Sequence, residues 1–308
     1  MIDLQILSLA DRTVCDTLPR SVVCLGNFDG VHIGHRALLR KAREWRSQAF
    51  PDAALCVFCF VKPSSDYLSP APHSHLCSLE QKLERFAEEG MEYAILADFE
   101  QIRGFSPAQF VDTVLHKGCH CAAAVCGFNY RFGKGGSGTP DLLASLLQAP
   151  VSVVPEVREL GDTVSSTRIR SLLWSGDVQT AATLLGAPYA LSAEVVHGKA
   201  LGHEMGIPTV NQHFPHGALI PRHGVYITAC RIGAHCYRGI SNVGVRPTVD
   251  RDAPVNCETH LLDWSGDLYG QRITVSFLKF LRPERKFESI EELTAQIKAD
   301  AEAAKQFS

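Results

Sequence analysis

The stretch SVVCLGNFDGVHIGH, residues 21–35, carries the strongest local signals in the chain. Residues 21–25 are small or apolar, as in a short buried strand, and a glycine-bearing turn follows them. His32 and His35 stand three residues apart where a helical pattern begins, so they are expected to share one helix face. A helix N-terminus presents unpaired N–H groups, and imidazole can donate hydrogen bonds to a phosphoryl group. The stretch therefore predicts a phosphate site. The alternative is an ordinary strand–turn–helix with one buried and one capping histidine.

Around this stretch, residues 1–186 alternate strand and helix patterns and predict an α/β domain. Strands are predicted over 22–25, 54–60, 93–97, 121–126 and 151–154, and helices over 35–48, 79–89, 106–118 and 140–148. A further helical segment over 165–185 is broken at 175–177. Such alternation favours a parallel sheet with helices on both faces, whose ligands bind beyond the carboxyl ends of the strands. Residues 26–35 and 127–138 are expected at that edge.

Residues 187–308 predict a second domain of a different class. β-like runs at 189–197, 224–232, 237–243, 257–262 and 272–280 are separated by Gly, Pro, Asn or Asp turns. No helical pattern intervenes until Ser289, which opens a capping box for a helix that ends near Lys305. We expect a small antiparallel β-barrel with one C-terminal helix.

The composition fits two packed domains and excludes several classes of protein. The chain has 308 residues and a hydrophobic content of 45%, which is sufficient for two cores. Its net charge of −3 gives no general attraction to nucleic acid or to an anionic membrane. Neither a membrane-length apolar run nor a basic leader is evident. We therefore expect a cytoplasmic protein, favour a monomer, and expect small-molecule partners.

The 11 cysteines are interpreted as reduced thiols, most of them inside apolar runs. His116, Cys119, His120 and Cys121 form a cluster that could bind zinc in principle. No second ligand pair stands at finger-like spacing, so core or loop thiols are the favoured interpretation.

Two motifs of the first domain resemble those of the bacterial FAD synthetase family, in the same order. GNFDGVHIGH (26–35) resembles GxFDGxHxGH, and VSSTRIR (164–170) resembles ISSTxIR. The resemblance implies a Rossmann-like nucleotidyltransferase domain in which the FMN phosphate attacks the α-phosphorus of ATP and pyrophosphate leaves. His32 and His35 would be catalytic. The implied ATP and phosphate contacts are Gly26, Phe28, Asp29, Gly30, His32, His35, Asn129, Ser165, Ser166, Thr167 and Arg170.

Two further segments of this domain bear on its site. Gly133, Gly135 and Gly138 satisfy GxGxxG, but they follow a late strand, whereas a dinucleotide fingerprint follows the first. We interpret this segment as a mobile loop near a nucleotide, with a plain surface loop as the alternative. FCFVKP (58–63) stands where the family carries a TFxPHP-like segment. Only Pro63 agrees and Lys62 replaces the histidine, so the departure lies on the flavin side of the predicted site.

The second domain resembles riboflavin kinases, beginning with GKALGHEMGIPTVN (198–211), which is similar to GxxxGxxLGFPTAN. Thr209 and Asn211 alternate with Val210, so they face the same way on extended chain, and their neutral oxygens suit Mg²⁺. Alone, PTVN is typical of a turn. The implied ATP and Mg²⁺ contacts are Gly198, Lys199, Gly202, Gly206, Pro208, Thr209 and Asn211.

Later kinase-like motifs follow in order: GVY (224–226), NVGVRPT (242–248), CETHLLD (257–263) and FLKFLRPERKF (277–287). The resemblance makes Glu258 the base that accepts the proton of the riboflavin 5′-hydroxyl. The alternative for Glu258 is a cross-strand ion pair. Arg282 is the implied contact at the flavin edge.

The combined resemblance, from about residue 21 to 307, implies a bifunctional riboflavin kinase/FMN adenylyltransferase. ATP and Mg²⁺ would be required, and FMN and FAD would be the products. Two alternatives stay open. The altered 58–63 segment favours a monofunctional riboflavin kinase with an impaired first site. A flavin-binding protein without catalysis is opposed by Glu258, Thr209 and Asn211, because a binder needs neither a base nor a metal pair.

Overall fold

Two separate six-stranded sheets organise the chain. The computed structural model describes residues 4–11, 17–62, 67, 74–197, 207–244 and 255–307. It divides into two units, Met1–Ser166 and Thr167–Ser308. The boundary that we predict after residue 186 stays a prediction.

The sheet of the first unit is entirely parallel. Its strands are β1 (Gln5–Ser8), β2 (Ser21–Leu25), β3 (Ala54–Phe60), β4 (Tyr93–Ala97), β5 (Cys121–Gly127) and β6 (Val151–Val154), in the spatial order β1-β4-β3-β2-β5-β6. The chain builds outward from β2 through β3 to β4, then returns to place β5 on the other side of β2. The carboxyl ends of β2 and β5 therefore flank a topological switch point, where such sheets bind ligands.

Helices cover both faces of this sheet, as predicted. They are α1 (Ile33–Ala49), α2 (Leu79–Glu88), α3 (Phe99–Ile102), α4 (Pro107–Phe110), a π-helix (Val111–Gly118) and α5 (Pro140–Leu147). Along β2, Val23 and Leu25 join one hydrophobic cluster, while Val22 and Cys24 join the other. A strand buried on both faces needs this continuous apolar sequence. A short hairpin, β7 (Arg158–Glu159) and β8 (Asp162–Thr163), completes the unit.

The second unit contains the antiparallel sheet, also as predicted. After α6 (Ser166–Ser175) and α7 (Val178–Leu185) come β9 (Tyr189–Glu194), β10 (Thr209–His213), β11 (Gly224–Ile232), β12 (His235–Gly244), β13 (Asn256–Leu261), β14 (Arg272–Arg282) and α8 (Ile290–Gln306). Their spatial order is β10-β13-β12-β11-β14-β9. A bridge between Val196 and Asn211 joins the two outer strands, so the sheet curls into a barrel.

Polar and apolar contacts share the interior of this unit. The buried hydroxyls of Thr228, Ser241 and Thr259 form a chain with oxygen–oxygen distances of 2.8 and 2.7 Å. Because each hydroxyl can both donate and accept, the chain satisfies groups that burial would otherwise destabilise. Elsewhere, α8 packs Ala304 against Ile240 and Leu262.

The remaining sequence predictions meet mixed outcomes. The predicted helix over 106–118 ends as expected, but from Val111 it is a π-helix. Every described cysteine except Cys236 is buried, and those described are free thiols. The described residues bring together no group of three or more metal-ligating His, Cys, Asp or Glu side chains. Among the described helices, none has the length and apolar character needed to cross a membrane.

Candidate active sites

The first candidate site is the turn between β2 and α1, at the carboxyl edge of the parallel sheet. The chain leaves β2 before Gly26 and forms a 3₁₀ turn at Asp29–Val31. Phe28, Gly30 and Val31 have positive φ values of 51°, 79° and 40°. Left-handed backbone is strained at Phe28 and Val31, and such strain persists only where surrounding contacts impose it.

Contacts from two later segments impose this conformation. Asp29 is 6% exposed, and its Oδ1 accepts a hydrogen bond from the Leu76 N–H at 3.0 Å. The Gly30 N–H donates to Cys77 Sγ at 3.2 Å. The carbonyl of Asp29 accepts from Ser166 Oγ at 3.0 Å. The protein itself therefore fixes the turn, as a preorganised phosphate site requires.

His32 and His35 form one stacked pair at the start of α1. Their ring centroids lie 3.7 Å apart with an interplanar angle of 12°. His32 is the N-cap of α1, and its Nδ1 accepts a hydrogen bond from the His35 N–H at 3.2 Å. Gly34 permits this fold-back, because a Cβ there would lie only 3.1 Å from the His32 ring. Since Nδ1 is the acceptor, a neutral His32 carries its proton on Nε2.

Both imidazoles are neutral at physiological pH. Burial lowers the pKa of His32 to about 4. Burial, and then the nearby His32 and Lys82, lower the pKa of His35 well below its ordinary value. Two stacked rings at this separation could not both be charged without strong repulsion. The neutral pair can donate hydrogen bonds to a phosphate without carrying a charge of its own. The buried Nδ1 of His35 has no hydrogen-bond partner among the described residues.

The second predicted motif of this site meets the first at Ser166. Its hydroxyl binds the Asp29 carbonyl, and the neighbouring Val164 carbonyl lies 3.9 Å from a Cβ position built on Gly34. Thr167 and Arg170 lie in the first turn of α6, which belongs to the second unit. Phosphate contacts from Ser165, Thr167 and Arg170 stay predictions.

Asn129 and the glycine-rich segment follow β5, on the other side of the switch point. Asn129 is exposed in a turn in which the Tyr130 N–H donates to the Gly127 carbonyl at 3.0 Å. The glycine-rich segment is closed by a Phe132–Gly138 bridge. It does not follow the first strand of the sheet, so the structure agrees that it is no dinucleotide fingerprint. Its predicted mobility stays a prediction.

An aromatic cluster at the same edge was missed by the sequence analysis. The Phe99 ring lies 5.3 Å from that of Phe60, at the end of β3, and 5.4 Å from that of Tyr67. Tyr67 donates a hydrogen bond to Asp98 Oδ1 at 3.2 Å. A usable signal was present, because Phe60 and Phe99 stand at or just after the ends of two predicted strands. Lys62, two residues after Phe60 in the sequence, is exposed.

The second candidate site is a row of polar side chains across the barrel sheet. Glu258 on β13 pairs with Asn211 on β10 and with Asn242 on β12. Side chains of cross-strand partners share a face of the sheet, so these three lie side by side. Thr209 lies on the same face two residues before Asn211. The barrel therefore places the predicted base beside both predicted metal ligands.

Hydrogen bonds hold these groups in place. Thr209 Oγ1 donates to Glu258 Oε1 at 2.7 Å. Asn211 is 4% exposed, and its Oδ1 accepts from Asn256 Nδ2 at 2.9 Å. Asn242 Nδ2 donates to Glu284 Oε1 at 2.9 Å. Among the residues that the structure describes, Glu258 forms no ion pair, and its Oε1 accepts from the neutral Thr209 hydroxyl. Its role as the base stays a prediction.

Two further features of the second unit lie around this row. A depression of about 390 Å³ is lined by side chains that include Pro208, His260, Leu262, Asp263, Trp264 and Lys305. Arg282 forms a salt bridge with Asp300 at 2.8 Å, which attaches α8 to the end of β14. The flavin contact of Arg282 stays a prediction, and its described contacts are structural.

Several predicted residues lie outside the described part of the chain. They are Pro63, Gly198, Lys199, Gly202 and Gly206, together with residues 245–248 of the NVGVRPT motif. Their predicted roles stay predictions.

Two family models match the chain, one in each half. The model described as FAD synthetase matches residues 15–168, and the model described as riboflavin kinase matches residues 185–308. The first thus contains the histidine pair, and the second contains the row around Glu258.

Curated relatives are similar over nearly the whole chain. A bifunctional riboflavin kinase/FMN adenylyltransferase of Pseudomonas fluorescens is 35% identical over 288 residues, which are 92% of each chain. The protein of the same name from Bacillus subtilis (strain 168) is 33% identical over 292 residues, again 92% of each. A crystal structure from Streptococcus pneumoniae, described as a macrolide-efflux protein, matches with a TM-score of 0.90 at 31% identity and covers 100% of both chains. The likeness therefore extends to both sheets.

Proposed function

The chain belongs to the family of bifunctional riboflavin kinase/FMN adenylyltransferases, and we propose that each of its two units carries one of the two reactions. It phosphorylates riboflavin to FMN with ATP, and it adenylylates FMN to FAD with release of pyrophosphate. The single-activity and non-catalytic alternatives are not favoured, because family models match both halves. The functional boundary that we propose follows residue 186, so α6 and α7 would belong to adenylyl transfer although most of their residues lie in the second unit. Residues 1–186 would carry adenylyl transfer, and residues 187–308 would carry riboflavin phosphorylation. The pairing of His32 with His35, and of Thr209 with Glu258, supports this division.

In the first unit, catalysis is positioning and charge stabilisation. An oxygen of the FMN phosphate attacks the α-phosphorus of ATP, and the bond to pyrophosphate breaks. His32 Nε2–H and the His35 imidazole donate hydrogen bonds to the phosphate oxygens as charge develops on them. Because the stacked rings and the turn are already fixed, little reorganisation accompanies the reaction.

The FMN ring system would lie against the aromatic cluster of Phe60, Phe99 and Tyr67. Phe60 is the last residue of β3, and Phe99 lies two residues after β4, at the ligand edge of the sheet, where the Phe99 ring contacts those of Phe60 and Tyr67. Planar aromatic ligands stack on such side chains, and offset or edge contacts add to the apolar area that is buried. The cluster supplies apolar surface beside the altered 58–63 segment.

Phe99→Leu tests this flavin site. Removing the central ring is expected to raise the KM for FMN by about fivefold, since an aromatic contact contributes about 1 kcal/mol beyond area burial. Riboflavin phosphorylation should not change. Phe50→Leu is the matched control, because Phe50 lies at the opposite edge of the sheet, where α1 ends. Equal FMN KM values for the two variants would contradict this placement.

In the second unit, Glu258 would orient the riboflavin 5′-hydroxyl and accept its proton as the oxygen attacks the γ-phosphorus of ATP, the bond to the β-phosphate oxygen breaks and ADP leaves. The Thr209 hydroxyl donates to Oε1 and so leaves Oε2 for the substrate. The depression beside Pro208 and Trp264 is open to a planar ring, and we place the adenine of ATP there. Leu262 and Trp264 supply its apolar walls.

Mg²⁺ fits the donor set at this site. The hydroxyl of Thr209, the amide oxygen of Asn211 and the carboxylate of Glu258 are hard oxygen ligands on adjacent strands. A threonine oxygen that donates its proton to Glu258 keeps lone pairs for a cation. Thr209 and Asn211 would hold the metal, which would neutralise charge on the ATP phosphates.

One assay tests the proposed function. Purified protein incubated with riboflavin, ATP and Mg²⁺ should form FMN and then FAD, separated by chromatography. Excess EDTA should stop FMN formation, and Mg²⁺ added back should restore it. FMN without FAD would contradict the role of the first unit. If neither FMN nor FAD forms, the result contradicts catalysis by both units.

A further inference from the structure

Lys82 on α2 is a buried cation directly behind the His32–His35 turn. Its side chain is 4% exposed, and its ammonium donates to the Asn27 carbonyl at 3.1 Å. Within the part of the chain that the structure describes, Lys82 forms no salt bridge. Burying an ammonium without a carboxylate in salt-bridge contact is costly, and such costs are typical of functional sites.

The surrounding contacts tie α2 to this turn. Arg85, one helical turn after Lys82 on the same face, donates to the Gly30 carbonyl. Phe86 packs edge-on against Phe28 with centroids 5.2 Å apart, and Phe28 lies 5.3 Å from the His35 ring. The Ser78–Gln81 capping box fixes where α2 begins and hence which residues face the turn.

We propose that Lys82 is a positioning residue for adenylyl transfer. Its buried ammonium holds the Asn27 carbonyl, and it supplies a fixed positive charge behind the turn that receives the ATP phosphates. The inference rests on the proposed assignment of adenylyl transfer to the His32–His35 site. In a water-poor site, a fixed charge stabilises developing negative charge without reorganisation.

A purely structural role and a functional role of Lys82 predict different effects of its removal on stability. If Lys82 only supported the fold, its removal would lower stability and activity together. If its charge is kept for function, an apolar side chain of similar length relieves the desolvation cost, so Lys82→Met keeps or raises the melting temperature while activity falls.

The experiment compares Lys82→Met, Lys82→Gln and Lys82→Arg in the full chain, with Lys41→Met as the matched control. Lys41 lies on α1 and is partly exposed, with its ammonium 3.7 Å from Glu44. We expect Lys82→Met to lower kcat for FAD synthesis by about 100-fold with little change in the KM for ATP, as for an interaction made in the transition state. FMN formation from riboflavin, measured in the same preparation, should stay unchanged.

The other two variants separate charge from hydrogen bonding. Gln can still donate to the Asn27 carbonyl but carries no charge, so it should lose activity as Met does. Arg keeps the charge and should recover at least tenfold over Met. Should Met fail to fold, the Gln and Arg pair decides the question. The proposal is overturned if Lys82→Met or Lys82→Gln makes FAD at a rate within threefold of the Lys41→Met control. It is also overturned if Lys82→Arg is no more active than Lys82→Met.

The pH profile gives an independent readout. His35 faces His32 on its own helix start and Lys82 on α2, and the turn between them also carries Asp29 and Cys77. Lys82 is one cause of the lowered pKa of His35. Without the lysine charge, His35 takes up its proton at a higher pH, so the acid limb of FAD synthesis should move upward. An unmoved acid limb counts against the electrostatic role.

A variant lacking both His32 and His35 separates the assignment of adenylyl transfer to this site from the role of Lys82. If that variant keeps FAD synthesis, the site assignment itself fails. If it loses FAD synthesis while Lys82→Met keeps it, only the role of Lys82 fails.

Discussion

Replacing His32 and His35 together by alanine is expected to abolish FAD formation from FMN while FMN formation from riboflavin continues. The stacked pair supplies neutral N–H donors beside the fixed turn at the switch point of the sheet. Losing one preorganised donor costs roughly 100- to 1000-fold in rate, so loss of both should bring FAD synthesis to about background. Both products are measured in one reaction by chromatography.

The controls address folding, because His32 also caps α1. Removing a cap destabilises a helix by about 1 kcal/mol. The variant His32→Asn with His35→Gln keeps a capping acceptor and similar volume but removes both imidazoles, and it should lose FAD synthesis equally. His116→Ala, an exposed histidine in the same unit, should leave both activities intact. Parallel loss of FMN and FAD formation would contradict two separate sites.

The sequence located this site well because its signals are local. The apolar run of β2 and the glycine-bearing turn specify where the strand stops and the chain turns. The helix start was less accurate. We predict it at His35, whereas α1 begins at Ile33, because the His32 ring serves as the N-cap. Histidine is not among the preferred cap residues, so the usual signal was absent.

Long-range features of the first unit could not be predicted. The edge strand β1 is largely exposed and lacks an alternating apolar pattern, so only its pairing with β4 defines it. Lys82 lies on an amphipathic helix where a lysine normally faces solvent. Its burial depends on the fold bringing α2 against a turn more than 50 residues earlier, which no local pattern encodes.

In the barrel, too, local features could be predicted from the sequence and long-range features could not. The alternation of Thr209 and Asn211 was readable along the chain, since a strand sets it locally. The placement of Glu258 between Asn211 and Asn242 depends on the register of three strands, and one residue of slip would turn it to the other face. Motif resemblance supplied what periodicity could not.

Glu258→Gln is expected to lower riboflavin phosphorylation by about a thousandfold, within the range for loss of a general base. FAD formation from supplied FMN should continue. The amide is nearly isosteric, and its oxygen can still accept from Thr209, so the substitution removes basicity with little change in packing. Glu194→Gln is the matched control, an exposed carboxylate on β9 of the same unit. Undiminished riboflavin phosphorylation in Glu258→Gln would remove Glu258 from this role.

The Glu258 variant and the variant lacking both His32 and His35 can be combined in one stricter experiment. Glu258→Gln protein should make no FAD from riboflavin, and protein lacking both His32 and His35 should stop at FMN. Mixed together, they should form FAD again, because each supplies the active site that the other lacks and FMN is a stable, freely diffusing product. Recovery requires that each unit works while the other is inactive. A mixture that stays inactive, although each variant keeps its remaining activity alone, would mean that FMN made by one molecule does not reach the adenylyltransferase site of another.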